Sequence, residues 1–206
     1  MNVKKFSAFL ILLLIAGGIF FLPAIRVLSV SGRKNPEQAF YSTAFYKEGF
    51  IISYTHSVNK GRVHDFYRAA KDGSLELYKT EFVSYGAGIP EPEETPGAVF
   101  TVTDDGYFIE NLHRIVPRLT MAVGLIANHS IAAGTDFDGQ KEFFLTDYFA
   151  PQTSIILEIK RVSLATYIKD YRIKSDNDIL LKKGGSSWTK NRLTKLLKQQ
   201  KLKAAQ

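Results

Sequence analysis

The side chains of this chain that could do chemistry gather first at Tyr54-Thr55-His56-Ser57-Val58. From Gly49 to Val58 the residues alternate, so Phe50, Ile52, Tyr54 and His56 share one face of a strand while Ile51, Ser53, Thr55 and Ser57 share the other. His56 therefore extends an aromatic and apolar row. Two readings stay open. The ring is a core-edge histidine satisfied by backbone, or it is a polar group at a pocket rim, where an imidazole titrates near neutral pH or ligates a metal. A second stretch runs from Phe82 to Pro90. There a strand over Glu76–Val83 is broken by Gly86 and Gly88, and Pro90 fixes the exit. Ser84, Gly86 and Gly88 form a turn or bulge, or a nest of backbone N–H groups suited to a carboxylate or phosphate. No Gly-Lys-Ser/Thr follows, which excludes a P-loop. Asp65 and His129 add a carboxylate and a second imidazole. If His56, Asp65 and His129 met, they would make a metal or acid–base cluster; the alternative is separate structural histidines. Ser57 is a poor nucleophile for a His56 base, because neighbours on a strand face opposite ways and no nucleophile elbow is present.

Strands must position these residues. Gly49–Val58 and Val63–Ala70 flank Asn59-Lys60-Gly61-Arg62, a hairpin turn, and Lys71-Asp72-Gly73-Ser74 leads on into Leu75–Tyr85. Residues 89–97 carry three prolines and three glutamates and read as an exposed loop. Glu91, Glu93 and Glu94 fit no EF-hand spacing. Ala98–Thr103 and Tyr107–Asn111 flank Asp104-Asp105-Gly106, a hairpin. Leu119–Ala127 is too short to span a membrane and reads as a buried strand, with a buried helix as alternative. Phe137–Asp147 and Thr153–Val162 supply two more strands. This pattern, with little helical periodicity, gives a mainly β fold: an antiparallel β-sandwich or barrel-like domain.

The segments Tyr54-Thr55-His56-Ser57-Val58, Asp65, and Phe82-x-Ser84-x-Gly86-Ala87-Gly88-x-Pro90 resemble domain-of-unknown-function family 1850 over about residues 50–160. The family pattern more often carries Glu where this chain has Asp65. The resemblance implies a bacterial protein encoded beside, or fused to, permeases of TRAP transporters of the TAXI type. It implies location and neighbourhood, and no reaction.

The flanks set the expected organisation. After Lys4 and Lys5, twenty uncharged residues run from Phe6 to Ile25, the length of a bilayer crossing, and Arg26 ends them. A cleaved signal has a shorter apolar core, so residues 1–31 read as an N-terminal transmembrane anchor, with cleavage near Ser29-Val30-Ser31 as the alternative. Basic residues are nearly balanced across this run; the expected orientation puts the N-terminus inside and the domain outside. Residues 32–43 read as a linker, 44–175 as the β-rich extracytoplasmic domain and 176–206 as a basic tail. After Asp178 come eight basic residues and no acid, leaving 19 basic against 20 acidic residues up to and including Asp178, so the chain's net charge of +7 belongs to the stretch beyond it. Gly184-Gly185-Ser186-Ser187 reads as a hinge before a weakly amphipathic helix whose Lys190, Arg192, Lys195 and Lys198 suit an anionic membrane surface. Nucleic acid is not an expected partner, since no aromatic stacking platform accompanies the charge. With no cysteine, disulfides, thiol catalysis and thiolate metal sites are excluded.

The expected function is a membrane-anchored extracytoplasmic accessory or small-ligand-binding protein of a TRAP-type uptake system. Its partners would be the membrane, the permease or its solute-binding protein, and a small molecule held by His56, Ser57, Asp65, Ser84, Gly86, Gly88 and His129. No cofactor is expected. The alternative is a metal-assisted envelope hydrolase with a divalent ion on His56, Asp65 and His129. A structural envelope protein is the third reading.

Overall fold

The computed structural model describes residues 3–58, 60–83, 95–104, 106–137 and 140–170. Ser84, Gly86, Gly88 and the whole basic tail, with Lys190, Arg192, Lys195 and Lys198, lie outside the described residues.

The chain enters through helix α1 (Val3–Phe21) and passes into strand β1 (Pro23–Gly32) with only Leu22 between them. Pro23 cannot donate the next helical hydrogen bond, and the β-branched run that follows favours a strand. The uncharged run Phe6–Ile25 is therefore not all helix. Among the described residues no helix is long and apolar enough to cross a membrane. β1 also occupies residues read from sequence as anchor and linker. Its Val27, Leu28 and Val30 are buried, and it pairs with the last strand, β11 (Ser154–Ser163), from Pro23↔Ser163 to Gly32↔Ile155. β2 (Ala39–Ser42) continues that sheet. Ser42 then caps α2 (Thr43–Glu48) by accepting the Phe45 N–H at 3.0 Å. Gly49 ends α2 at φ +83°, where an added Cβ would sit 2.8 Å from the Tyr67 carbonyl oxygen.

β3 (Phe50–Thr55), β4 (Arg62–Ala69) and β5 (Leu75–Phe82) form the expected meander, and β6 (Val99–Thr103) with β7 (Gly106–Val116) the expected hairpin. β8 (Leu119–Ala122), β9 (Ser130–Ala133) and β10 (Phe143–Phe144) precede β11, and α3 (Leu164–Asp170) follows it. Two antiparallel sheets result. One has four strands in the order β2-β1-β11-β8; the other has seven, in the order β10-β9-β3-β4-β5-β7-β6. They pack face to face: Leu28, Val30, Ile155 and Leu157 of the smaller sheet share a core with Phe50, Ile52, Tyr67 and Leu75 of the larger. The fold is mainly β and antiparallel, with few helices.

Two strands differ from the sequence reading. Leu119–Ala127 is a strand only to Ala122; Leu125 and Ile126 follow in a turn at 63% and 79% exposure, so this apolar run is not a buried element. Among the described residues of Phe137–Asp147 only Phe143–Phe144 pairs, against β9, before a 3-10 turn over Leu145–Asp147. The larger sheet is covered on both faces at β3, which is why that strand is buried at Phe50, Ile51, Ile52 and Ser53 alike rather than alternating.

Candidate functional site

Register places the site. Ile52, Asp65, Thr80 and Ile109 are partners across β3, β4, β5 and β7, and their row faces the smaller sheet. On that inner face the apolar residues divide into two clusters. One contains Ile52 and Tyr67; the other contains Val63, Phe82 and Ile109; Tyr54 packs against both. Asp65 lies in the seam between them, on β4 between Val63 and Tyr67.

Asp65 is held by two hydroxyls. Thr80 Oγ1 donates to Asp65 Oδ1 at 2.6 Å, and the Tyr54 phenol hydrogen-bonds the same side chain. The carboxyl is enclosed deep in the fold, yet it keeps some solvent-accessible surface. Burial raises its pKa to about 6, against the opposing pull of Thr80, Tyr54 and the charge of Arg114. The same burial, with Asp65 nearby, pushes the Tyr54 and Tyr67 phenols well above their ordinary range, so both stay protonated donors. Arg114 reaches this face because it partners Leu77 after a kink in β7, where Asn111 and His113 adopt φ of +59° and +47°. The seam thus offers a buried carboxyl, two phenols and a hydroxyl among aromatic and aliphatic walls. Apolar walls with a few convergent polar groups are the chemistry by which small-molecule sites orient a ligand.

His129 stands at the edge of this seam. Its ring lies 5.8 Å from that of Tyr54, and its Nδ1 accepts the Gly124 N–H at 3.1 Å, which places the ring proton on Nε2. Burial, and then Arg62, lower its pKa. Asp65 and His129 therefore share Tyr54 as a neighbour. His56 is placed elsewhere. It follows the end of β3, its Nδ1 accepts the Val58 N–H at 3.3 Å, and its backbone closes the turn through Gly61 and Lys60. Ser57 is exposed on that turn, its carbonyl accepting from Lys60 Nζ. Among the described residues no group of three or more His, Cys, Asp or Glu side chains could hold a metal ion.

Sequence reasoning missed Tyr54, Tyr67, Thr80 and Arg114 as site residues. The observed register puts Asp65 opposite Ile52 and diagonal to Tyr54, because the loop runs from His56 to Gly61; the shorter turn read from sequence, Asn59–Arg62, counts back to His56 opposite Asp65 instead. Sequence reasoning also missed a network on the opposite face of the same strands. Ser53 Oγ and His64 Nδ1 are 2.7 Å apart, and the His64 ring packs on Phe137 at 3.8 Å between centroids. Arg62 pairs with Glu142 at 2.7 Å and donates to Ser130 Oγ at 2.6 Å; Ser130 Oγ donates to Glu142 Oε1 at 2.5 Å. Burial, then Arg62, lower the His64 pKa to about 4. The network is internally satisfied and ties Phe137 to β4 and Glu142 to β4 and β9, a stabilising latch.

Residues 50–138 match the model of a family described as domain of unknown function (DUF1850), which supports the family resemblance for that stretch, somewhat less than half of the chain. The matched span runs from β3 to just past β9 and contains Tyr54, Asp65, Tyr67, Thr80, Arg114 and His129. No curated protein and no solved structure matches the chain.

Proposed function

We propose that this protein is a membrane-anchored, extracytoplasmic small-ligand-binding accessory of a TRAP-type uptake transporter of the TAXI class, with the ligand held in the Asp65 seam. The observation that carries the binding role is the buried carboxyl itself. An enclosed carboxylate costs stability, and costs of that kind are characteristic of functional sites; here it sits between two apolar clusters with phenol and hydroxyl donors already aimed at it. The family match supports the uptake setting through the neighbourhood that resemblance implies.

The anchor in this proposal is α1 together with Leu22 and Pro23, the lead into β1. The uncharged helical part, Phe6–Phe21, rises about 24 Å at ~1.5 Å per residue, short of the ~30 Å hydrocarbon layer. Leu22, a bend, and Pro23, the first residue of β1, supply the remaining distance at up to ~3.3 Å each, and Pro23 is already level with Ser163 of β11. The anchor stays uncleaved in this reading, since processing near Ser29-Val30-Ser31 would remove most of β1, whose side chains fill the core.

The test is recovery of partners. The full-length protein, solubilised from its native membrane and captured, should bring down a TRAP permease or its solute-binding protein. An Asp65→Asn variant should keep its fold while losing any partner that recognises the loaded state. Capture of neither transporter component from native membranes would remove the transporter assignment. The hydrolase reading needs His56, Asp65 and His129 at one ion, and the position of His56 on its own turn gives it no support.

A further inference from the structure

We propose that the end of the smaller sheet nearest α1 is a seat on the bilayer: Arg26 and Arg161 bind the phosphates of anionic lipid headgroups, and Leu164 and Ile168 of α3 enter the interface beside them. This rests on the anchor reading above, and adds where the domain sits and what lipid chemistry holds it there.

Three observations converge. Arg26 and Arg161 are direct cross-strand partners of β1 and β11, both exposed. Like charges directly opposite on a sheet are destabilising, so the pair calls for an anion. Among the described residues neither guanidinium has a carboxylate partner; Arg26 donates to the Tyr46 hydroxyl at 3.0 Å, while neighbouring Lys160 is neutralised by Glu158 at 2.7 Å. Two guanidiniums side by side suit phosphate oxygens better than any other common anion at a membrane.

The second observation is distance. With Phe6–Phe21 crossing about 24 Å as helix and extended residues advancing ~3.3 Å each, the ~30 Å hydrocarbon layer ends near Pro23. Arg26 then stands about 10 Å further on at most, within reach of the headgroup phosphates for a side chain that bends back toward them. Register carries Arg161 to the same level.

The third is α3. It packs against α1 and is tied to α2 where the Tyr167 hydroxyl meets Thr43 Oγ1 at 3.2 Å. It nevertheless leaves Leu164 41% and Ile168 57% exposed, and Phe21 and Leu22, at the end of the helix it packs against, are exposed as well. Apolar residues continuous with a crossing helix and rimmed by arginines match an interfacial element. The domain would then rest on the membrane without a flexible tether. β1, about 33 Å long, runs away from the bilayer, so the turn carrying Leu125 and Ile126, close to Ser154 through the Val123–Thr153 backbone bond, points outward with the Tyr54–His129 edge of the seam.

The chain has no cysteine, so single labels are clean. Full-length protein carrying bimane at Ile168→Cys or Leu125→Cys goes into nanodiscs of phosphatidylcholine, with or without phosphatidylglycerol, containing a spin-labelled lipid quencher. Lipid quenching should be strong at 168, absent at 125, and stronger with phosphatidylglycerol. Arg26→Gln and Arg161→Gln should each shift the lifted-to-seated ratio about fivefold. Equal quenching at 168 and 125 in chains that resist alkaline carbonate extraction overturns the seat while the anchor stands. Chains that carbonate extracts from vesicles defeat the anchor, and the seat with it. Inorganic phosphate protecting the arginine pair equally well in lipid-free micelles assigns it to a free anion and overturns the lipid assignment.

Discussion

Replacing Asp65 by Asn should make this protein more stable at neutral pH. An ordinary aspartate titrates at 3.8; in the seam burial raises this to about 6. At about 1.4 kcal/mol for each tenfold change, that gap corresponds to ~3 kcal/mol of stability forgone above pH 6. Asn keeps the shape and one acceptor but gives up a charge-assisted bond from Thr80 or Tyr54, returning about 1 kcal/mol. The net gain is ~2 kcal/mol, or about 4–8 °C in melting temperature for a chain of this size. The pH dependence is the sharper part. A raised carboxyl pKa costs nothing below 3.8, where both states are protonated, and costs most above 6, so this term strengthens the fold as pH falls from 6 to 4. His64 works the other way. Its pKa is lowered from 6.5 to about 4, so its term is fully present above 6.5 and lost as pH falls toward 4. Because His64 is only half-buried, its slope is the smaller after solvent screening. Wild type should therefore vary little between pH 4 and 6. Asp65→Asn should show the uncovered His64 loss toward acid, and His64→Asn should show the Asp65 gain. Thermal unfolding of the full-length protein in one detergent at half-unit pH steps reads all three. An Asp65→Asn protein no more stable than wild type at pH 8, or stabilised equally at pH 3.5 and 8, would refute the account of the seam.

Three further outcomes follow from the same geometry. Tyr54→Phe removes one donor from the buried carboxylate and should cost about 1–3 kcal/mol at pH 8, with a smaller cost at pH 4, where Asp65 is protonated; equal costs at both pH values would show that the phenol acts only by packing. Gly49→Ala places a methyl 2.8 Å from the Tyr67 carbonyl oxygen at φ +83° and should lower stability by more than about 1 kcal/mol in denaturant titrations, whereas Gly73→Ala, with open space around its Cβ, should cost less. Glu142→Gln breaks a partly exposed pair with Arg62 and should cost about 1–2 kcal/mol, with faster amide exchange at residues 140–144 than in the rest of the larger sheet.

Much of the larger sheet is legible in the sequence because its signals are local. Asp72-Gly73 and Asp104-Asp105-Gly106 are turn chemistry, and the strands around them alternate or run apolar. The smaller sheet is not legible, because it is built from distant pieces. β1 and β11 are far apart in sequence, since about 130 residues separate Leu28 from its partner Ile159, and the apolar residues of β1 merge with those of α1 into one hydrophobic run. Only Pro23 marks the change. Leu119–Ala127 misleads for a related reason. Hydrophobicity alone does not say that Leu125 and Ile126 turn outward. Of the candidate site, Asp65 and His129 are found beside one another's neighbour Tyr54, while His56 leaves the row its alternation assigned because the strand ends at Thr55 and the turn claims its ring. Thr80 and Arg114 are visible only through register, and the β7 kink that delivers Arg114 depends on positive φ at Asn111 and His113, which no local motif announces.

The central claim is that the Asp65 seam holds a small molecule. The most direct test is mass spectrometry of the small molecules released on denaturing full-length protein purified from its native membrane, wild type beside Asp65→Asn. The account predicts a molecule released in near-stoichiometric amount by wild type and absent from the more stable Asp65→Asn protein. The same molecules in the same amounts from both proteins, or none from either, would contradict it.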